Sequence, residues 1–287
     1  MLSIYKKEMQ AYLTHMMGYV FLAFMLLIIS FGFAFGNVNG RSANFQSALA
    51  SSILFFFILI PVLTMRLFSE EARQKTDQLI FTSPLTVVSI VVGKFFAAFT
   101  LFTMATGITV VLPIILNRFG DVPFSHVTGT YVGFLLIGAA CIAVGVFISV
   151  LTDNQIIAAV ITIGVVFVMF IIDAIVVIIP TTTLASLVFV CLVVAAVIAI
   201  WYNATRNIYA TIVFAIFALA VAGGLYWFNN LIYDGIIVRV LLWFSVFGRF
   251  NNFVRGILNI NDIVYYISFS ALFIYLTVNV IEKRRWR

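Results

Sequence analysis

The chain has 287 residues, 64% hydrophobic and 9% charged, with a formal net charge of +6. Soluble domains carry about 25% charged residues, so a mean hydropathy of +1.20 excludes a water-soluble domain. Runs such as "IIAAVITIGVVFVMFII" (156–172) do not alternate apolar with polar residues, which excludes a transmembrane barrel and leaves helices that satisfy their own backbone in lipid.

In chain order, Leu2, Tyr5, Met9, Tyr12, Leu13 and Met16 recur at helical spacing, and Ser3, Lys6, Lys7, Gln10 and Thr14 fill the other side. This predicts an amphipathic helix over 2–17 lying in the membrane interface, the alternative being a plain extension of the first span. Lys6 and Lys7 precede an apolar run that is too long for a signal peptide and lacks a clear cleavage site, so the run is expected to stay as the first span.

Hydropathy places eight spans at 18–36, 48–67, 87–116, 128–151, 156–179, 182–201, 208–228 and 262–281. A six-span reading would leave one apolar run without a membrane to sit in. The segment 232–247 is apolar too, but Asp234 and Arg239 interrupt it, which suits an interfacial or re-entrant helix. Gly36, Asn37, Asn39 and Gly40 mark one short turn, and Asn117, Gly120, Asp121 and Pro123 mark another.

With both termini cytosolic, 11 Lys and Arg fall on the inner side and Arg41, Arg118, Arg239, Arg249 and Arg255 on the outer side. That satisfies the positive-inside rule. These topology signals account for most of the net charge, so no nucleic-acid partner is expected. The expected fold is an all-α polytopic helical bundle, one membrane domain over 1–287. Its landmarks are the surface helix 1–17, a cytosolic loop at 68–86 and an outer interfacial or re-entrant segment at 229–261.

The loop stands out because charge is rare elsewhere. "MRLFSEEARQKTDQLIFTSPL" (65–85) holds Arg66, Glu70, Glu71, Arg73, Lys75 and Asp77 between long apolar runs. Ser69 followed by Glu70 and Glu71 suits an N-cap with acids near the positive end of the helix dipole. Ser83-Pro84 is expected to end that helix, and Thr86 to open the next one. A short surface helix joined to two spans is suited to transmitting force; a solvated loop that only sets topology is the plainer alternative.

Other polar residues within spans are few. Asp173 is the only acid well inside one, and intramembrane acids are functional candidates. Its place near the outer end favours a water-facing carboxylate. Thr100, Thr103, Thr106 and Thr109 form a ribbon along the third span; Thr103 and Thr106, with Asp173, are the candidates for a cargo path, although such hydroxyls usually bond to their own helix. Gly129 and Gly133 make a G-x-x-x-G that indicates close helix packing, within the chain or at a dimer seam. Lys94 is expected to snorkel to the headgroups. Its "VVGKFF" setting lacks the residues of a phosphate-binding loop. Cys141 and Cys191 lie apart in apolar runs, as packing residues do. His15 and His126 fall on opposite faces, so a catalytic constellation is hard to assemble.

"MRLFSEEARQKTDQLIFTSPLTVVSIVVGKF" resembles the coupling-helix region of type-2 ATP-binding-cassette (ABC) transporter permeases. "YKKEMQAYLTHMMGYVF" resembles that family's elbow helix and entry into the first span, and "LTDNQIIAAV" its turn between the fourth and fifth spans. "RFNNFVRGILNINDIVYYISFSALFIYLTVNVIEKRRW" resembles the C-terminal end of the gliding-motility-associated permeases. Gln74 and Lys75 depart from the family pattern, where a glycine often precedes the Thr, and so does Thr14-His15-Met16, where relatives often have Ser-Pro.

The resemblance implies a permease subunit in the bacterial plasma membrane, expected to export, paired with a second permease subunit (identical or different) and with ABC ATPase subunits. ATP and magnesium would bind those partners, with no cofactor or metal on this chain and no enzymatic activity of its own. The residues expected to contact the ATPase are Glu70, Glu71, Arg73, Thr76, Asp77 and Gln78. A secondary transporter is the rival reading, although no central ion pair or repeat supports it. A mechanical ABC subunit that moves an outer partner is another, against which the short outer loops argue.

Overall fold

The structure is a computed structural model that describes residues 1–76, 86–178 and 235–285, with residues 195 and 198. The described residues are helical with no strand among them, and six helical stretches are long and apolar enough to cross a membrane. They run Met16–Asn39, Phe45–Gln74, Val87–Leu116, Phe124–Leu151, Gln155–Val176 and Ile260–Arg284. Each matches one of the eight expected spans; those at 182–201 and 208–228 lie outside the described residues. The chain is an all-α polytopic membrane protein.

Two compact units divide it: Met1–Val168 with Val246–Arg287, and Met169–Ser245. In the first, α1 (Leu2–Thr14) and α2 (Met16–Phe33) are separated by His15 in an extended conformation (φ −91°, ψ 149°). A π-helical turn, Ala34–Asn39, prolongs α2. The second span is assembled from α3 (Phe45–Ser52), a 3₁₀ turn at Ile53–Phe55 and α4 (Phe56–Thr64). Pro61 lies inside α4 and cannot supply an N–H to the helix ladder, a usual cause of helix irregularity.

The short α5 (Ser69–Gln74) follows, then α6 (Val87–Ile108) and α7 (Val111–Leu116), which together form the third span. Thr86 caps α6, its side chain accepting from the Ser89 N–H, as its place in the sequence led us to expect. Next come α8 (Phe124–Leu151) and α9 (Gln155–Ile178).

α8 is the hub of the first unit. It packs against α3, α4, α6, α11 (Phe250–Val254) and, most extensively, α12 (Ile260–Arg285). Phe134, Ile137, Cys141 and Val144 on this helix are fully buried. The rings of Phe56, Phe102 and Phe134 meet pairwise at 5.1–5.7 Å between centroids, in edge and stacked arrangements that aromatic quadrupoles favour.

Gly133 of α8 allows Phe253 of α11 to lie against the helix backbone: a Cβ there would stand 2.5 Å from the Phe253 Cβ. Gly129, one turn away, faces the Phe253 carbonyl and Gly256. The G-x-x-x-G therefore packs within the chain. Gly256 has φ +75°, a region open to glycine at little cost, and it turns the chain back toward α12.

The second unit includes the last turns of α9 and α10 (Ile236–Phe244) among its described residues. At 1.5 Å per residue, nine residues span about 14 Å, too short to cross a hydrocarbon core about 30 Å thick. Trp243 and Phe244 are exposed, as suits an interfacial helix.

Candidate functional site

Several of the rare charges of the first unit gather where α1, α5 and α6 meet. Lys94 of α6 is 1% exposed. Its ammonium donates to Glu8 Oε1 of α1 at 2.8 Å and to the Leu67 carbonyl at 2.6 Å, and pairs with Glu71 Oε2 of α5 at 2.9 Å. An ammonium has three donors, and three acceptors meet it. Its nitrogen also stands 4.9 Å from the centre of the Phe68 ring.

The expectation that Lys94 snorkels to the headgroups is therefore overturned. Two carboxylates and a carbonyl replace the water it would otherwise seek. Glu71 divides its oxygens, Oε2 toward Lys94 and Oε1 toward the exposed Lys7 at 3.5 Å.

The rest of α1 is fastened to the same region. The Tyr5 hydroxyl donates to Thr100 of α6, and the Tyr12 hydroxyl to the Leu63 carbonyl of α4 at 2.9 Å. Burial, reinforced by the Glu8 charge, pushes the Tyr12 pKa well up, so this phenol remains a donor. The face of α1 turned to the protein carries Tyr5, Glu8 and Tyr12, while Leu2, Leu13 and Met16 are exposed. The expected apolar stripe is thus split between protein and surroundings.

α5 is held at both ends. Ser69 was expected to be its N-cap, but Ser69 is its first residue, and its hydroxyl turns back to the Met65 carbonyl. The cap comes from α8: Ser149 Oγ accepts from the Phe68 N–H at 3.0 Å and the Ser69 N–H at 3.3 Å, and lies 3.2 Å from the Met65 carbonyl as a donor. These N–H groups have no intrahelical partner in any helix.

The C-terminus closes at Lys75, not at Ser83-Pro84. Lys75 is left-handed (φ 57°); its N–H reaches the Ala72 carbonyl and the Thr76 N–H the Glu71 carbonyl. That is the paired bonding of a Schellman cap, whose left-handed position favours glycine. It is also where the sequence departs from the glycine expected before Thr76.

Among the residues expected to contact an ATPase, Arg73 is exposed and, with Thr152, Asp153, Asn154 and Ile156, lines a shallow recess. Glu70 is half-buried, paired with Arg66 at 2.9 Å. Glu71 is engaged inside the chain. Thr76 lines a polar recess of about 310 Å³ together with Lys7, His15, Gln74 and Lys94. Asp77 and Gln78 lie outside the described residues. Sequence reasoning missed Glu8 and Ser149, and placed Tyr12 in the apolar stripe without its bond to α4.

The cargo-path candidates each make local bonds. Thr103 donates to the Phe99 carbonyl at 2.8 Å and Thr106 to the Phe102 carbonyl at 3.0 Å. Asp173 is half-buried in the second unit, where Ser245 donates to its Oδ1. Its Oδ2 is buried without a hydrogen-bond partner among the described residues.

A second ionic node lies at the start of α12. Asp262 accepts from Arg249 at 2.9 Å and from Asn252 at 2.8 Å, and the Arg249 guanidinium stacks 4.1 Å from the Tyr265 ring centre.

The sequence profile described as ABC-2 family transporter protein matches residues 37–231, more than half of the chain. The chain belongs to this ABC-2 family. No curated protein matches it. As an ABC-2 membrane domain, the chain is an ABC transporter permease subunit and a multi-pass membrane protein. The match contains α5, Lys94 and Ser149, whereas Glu8 and the node at Asp262 lie outside it.

Proposed function

We propose that this permease subunit exports cargo across a bacterial plasma membrane, powered by a separate ATPase that docks on α5. ATP and magnesium act on that partner, and a second permease subunit completes the pore. The observation that carries this reading is the asymmetry of α5. Its inner side is fixed by Ser149, Glu71 and Lys94, and Arg73, Gln74 and Lys75 stand exposed. A push on the exposed side reaches α1, α6 and α8 directly, because each is bonded to α5 or to Lys94.

Orientation follows from charge. The face bearing α5 also carries Lys7, paired with Glu71, and Arg284, paired with the Asp153 that lines the recess beside Arg73, and the positive-inside rule assigns such a face to the cytosol. The resemblance of the C-terminal segment supports the gliding-motility-associated branch of the family.

The test is purification of the full chain in mild detergent from its host, with identification of partners and an ATPase assay. A stoichiometric partner with a nucleotide-binding motif is expected. Arg73→Glu should lower its recovery about tenfold, as an exposed interface residue can, and leave the melting temperature of the chain unchanged. Recovery of the wild-type chain alone, without ATP hydrolysis in several detergents, overturns the reading in favour of a secondary transporter.

A further inference from the structure

On the face of the first unit opposite α5, the turn after α2 and the turn after α7 enclose a groove of about 460 Å³. Apolar side chains make most of its wall: Phe33, Val38, Ile115, Leu116 and Phe119. It opens where the stretches Met16–Asn39 and Val87–Leu116 end and Phe45–Gln74 begins. This is the depth at which acyl chains meet headgroups. Phe119 is 85% exposed and Val38 and Ile115 are also exposed, so the wall has not closed upon itself.

The polar part of the groove is small and cationic. Arg41 lines it, held at φ 47°, and has no carboxylate within ion-pairing distance among the described residues. Arg118, in the adjoining turn, is exposed and equally without one. Asn37 also lines the groove. It is 2% exposed, donates to the Ser42 carbonyl at 2.8 Å, and keeps Oδ1 without a partner among the described residues. It belongs to the π-helical turn, a distortion found often at functional sites.

Apolar walls with one or two convergent polar groups characterise small-molecule sites. Arginines here run against the charge bias that orients membrane proteins. We propose that the groove binds a single anionic phospholipid, one acyl chain against Phe33, Leu116 and Phe119 and the phosphate on Arg41. This site stands apart from the ATPase reading and needs no energy source.

The test uses the full-length chain in vesicles doped with phosphatidylglycerol bearing a photoreactive acyl chain, the adducts being mapped by mass spectrometry. Labelling should concentrate in 33–43 and 115–120, and exceed that from a phosphatidylcholine probe about fivefold, as one unpaired cation near an anionic headgroup implies. Arg41→Gln should remove that preference. Ala43→Trp, which fills the groove without changing charge, should abolish labelling there and leave adducts on other spans and the melting temperature unchanged. Equal labelling by both lipids, adducts spread evenly over the span ends, indifference to Ala43→Trp, or cross-links from a second copy at Phe119 would each overturn the proposal.

Discussion

The two ionic nodes of the first unit are built on different plans. At the start of α12 one arginine meets one aspartate, an asparagine supplies a second donor, and the group is electrically closed. At α5 one buried lysine meets two glutamates, and among the described residues the exposed Lys7 answers the excess negative charge. The first plan suits a clamp, because neither partner gains by leaving. The second divides Glu71 between two cations, Lys94 at 2.9 Å and the exposed Lys7 at 3.5 Å.

This contrast can be broken from either side. The largest effect is expected from Lys94→Met, which strands two carboxylates. Removing one partner of a buried pair costs about 3–5 kcal/mol, on the order of 10 °C in the apparent melting temperature of the purified chain. Adding Glu8→Gln to Lys94→Met should recover only part of the loss, because Glu71 still lacks its main partner. At the other node, Arg249→Met should cost a similar amount, and adding Asp262→Asn should recover most of it. Equal recovery at both nodes would erase the distinction.

Ser149→Ala sharpens the contrast on a smaller scale. Two buried N–H groups lose their acceptor, for a loss of about 1–2 kcal/mol. Faster hydrogen exchange confined to Phe68–Ala72 would identify the lost cap. The smallest effect has the opposite sign. Lys75→Gly relieves a left-handed lysine and should stabilise the chain by up to about 1 kcal/mol, seen as a slightly higher melting temperature.

The six spans that fall on described residues were legible because hydropathy is a property of neighbouring residues, and an apolar run of about 20 residues matches the thickness of a bilayer and little else. The close approach at Gly133 was legible for the same reason, although Phe253 as its neighbour was not. α5 was half legible. Its acids marked a helix start, but Ser149 caps it from 80 residues away, and no local pattern announces that. Lys94 was misread on the same grounds: near the end of an apolar run a lone lysine suggests a snorkelling anchor, and only the folded chain brings Glu8 and Glu71 to it. The threonine ribbon was legible in its plainer reading: the Thr103 and Thr106 hydroxyls bond to their own helix, as such hydroxyls usually do.

The burial of Lys94 also has a consequence for biogenesis. Glu8 and Glu71 leave the ribosome before it, and Lys94 arrives 86 residues after Glu8 at the base of the third span. An unpaired lysine at that depth is costly, and every partner that captures it, Glu8, Glu71 and the Leu67 carbonyl, precedes it in the chain. Ser149 can cap α5 only after α8 has inserted. The α5 node is therefore complete only once α8, more than 50 residues further along the chain than Lys94, is in place.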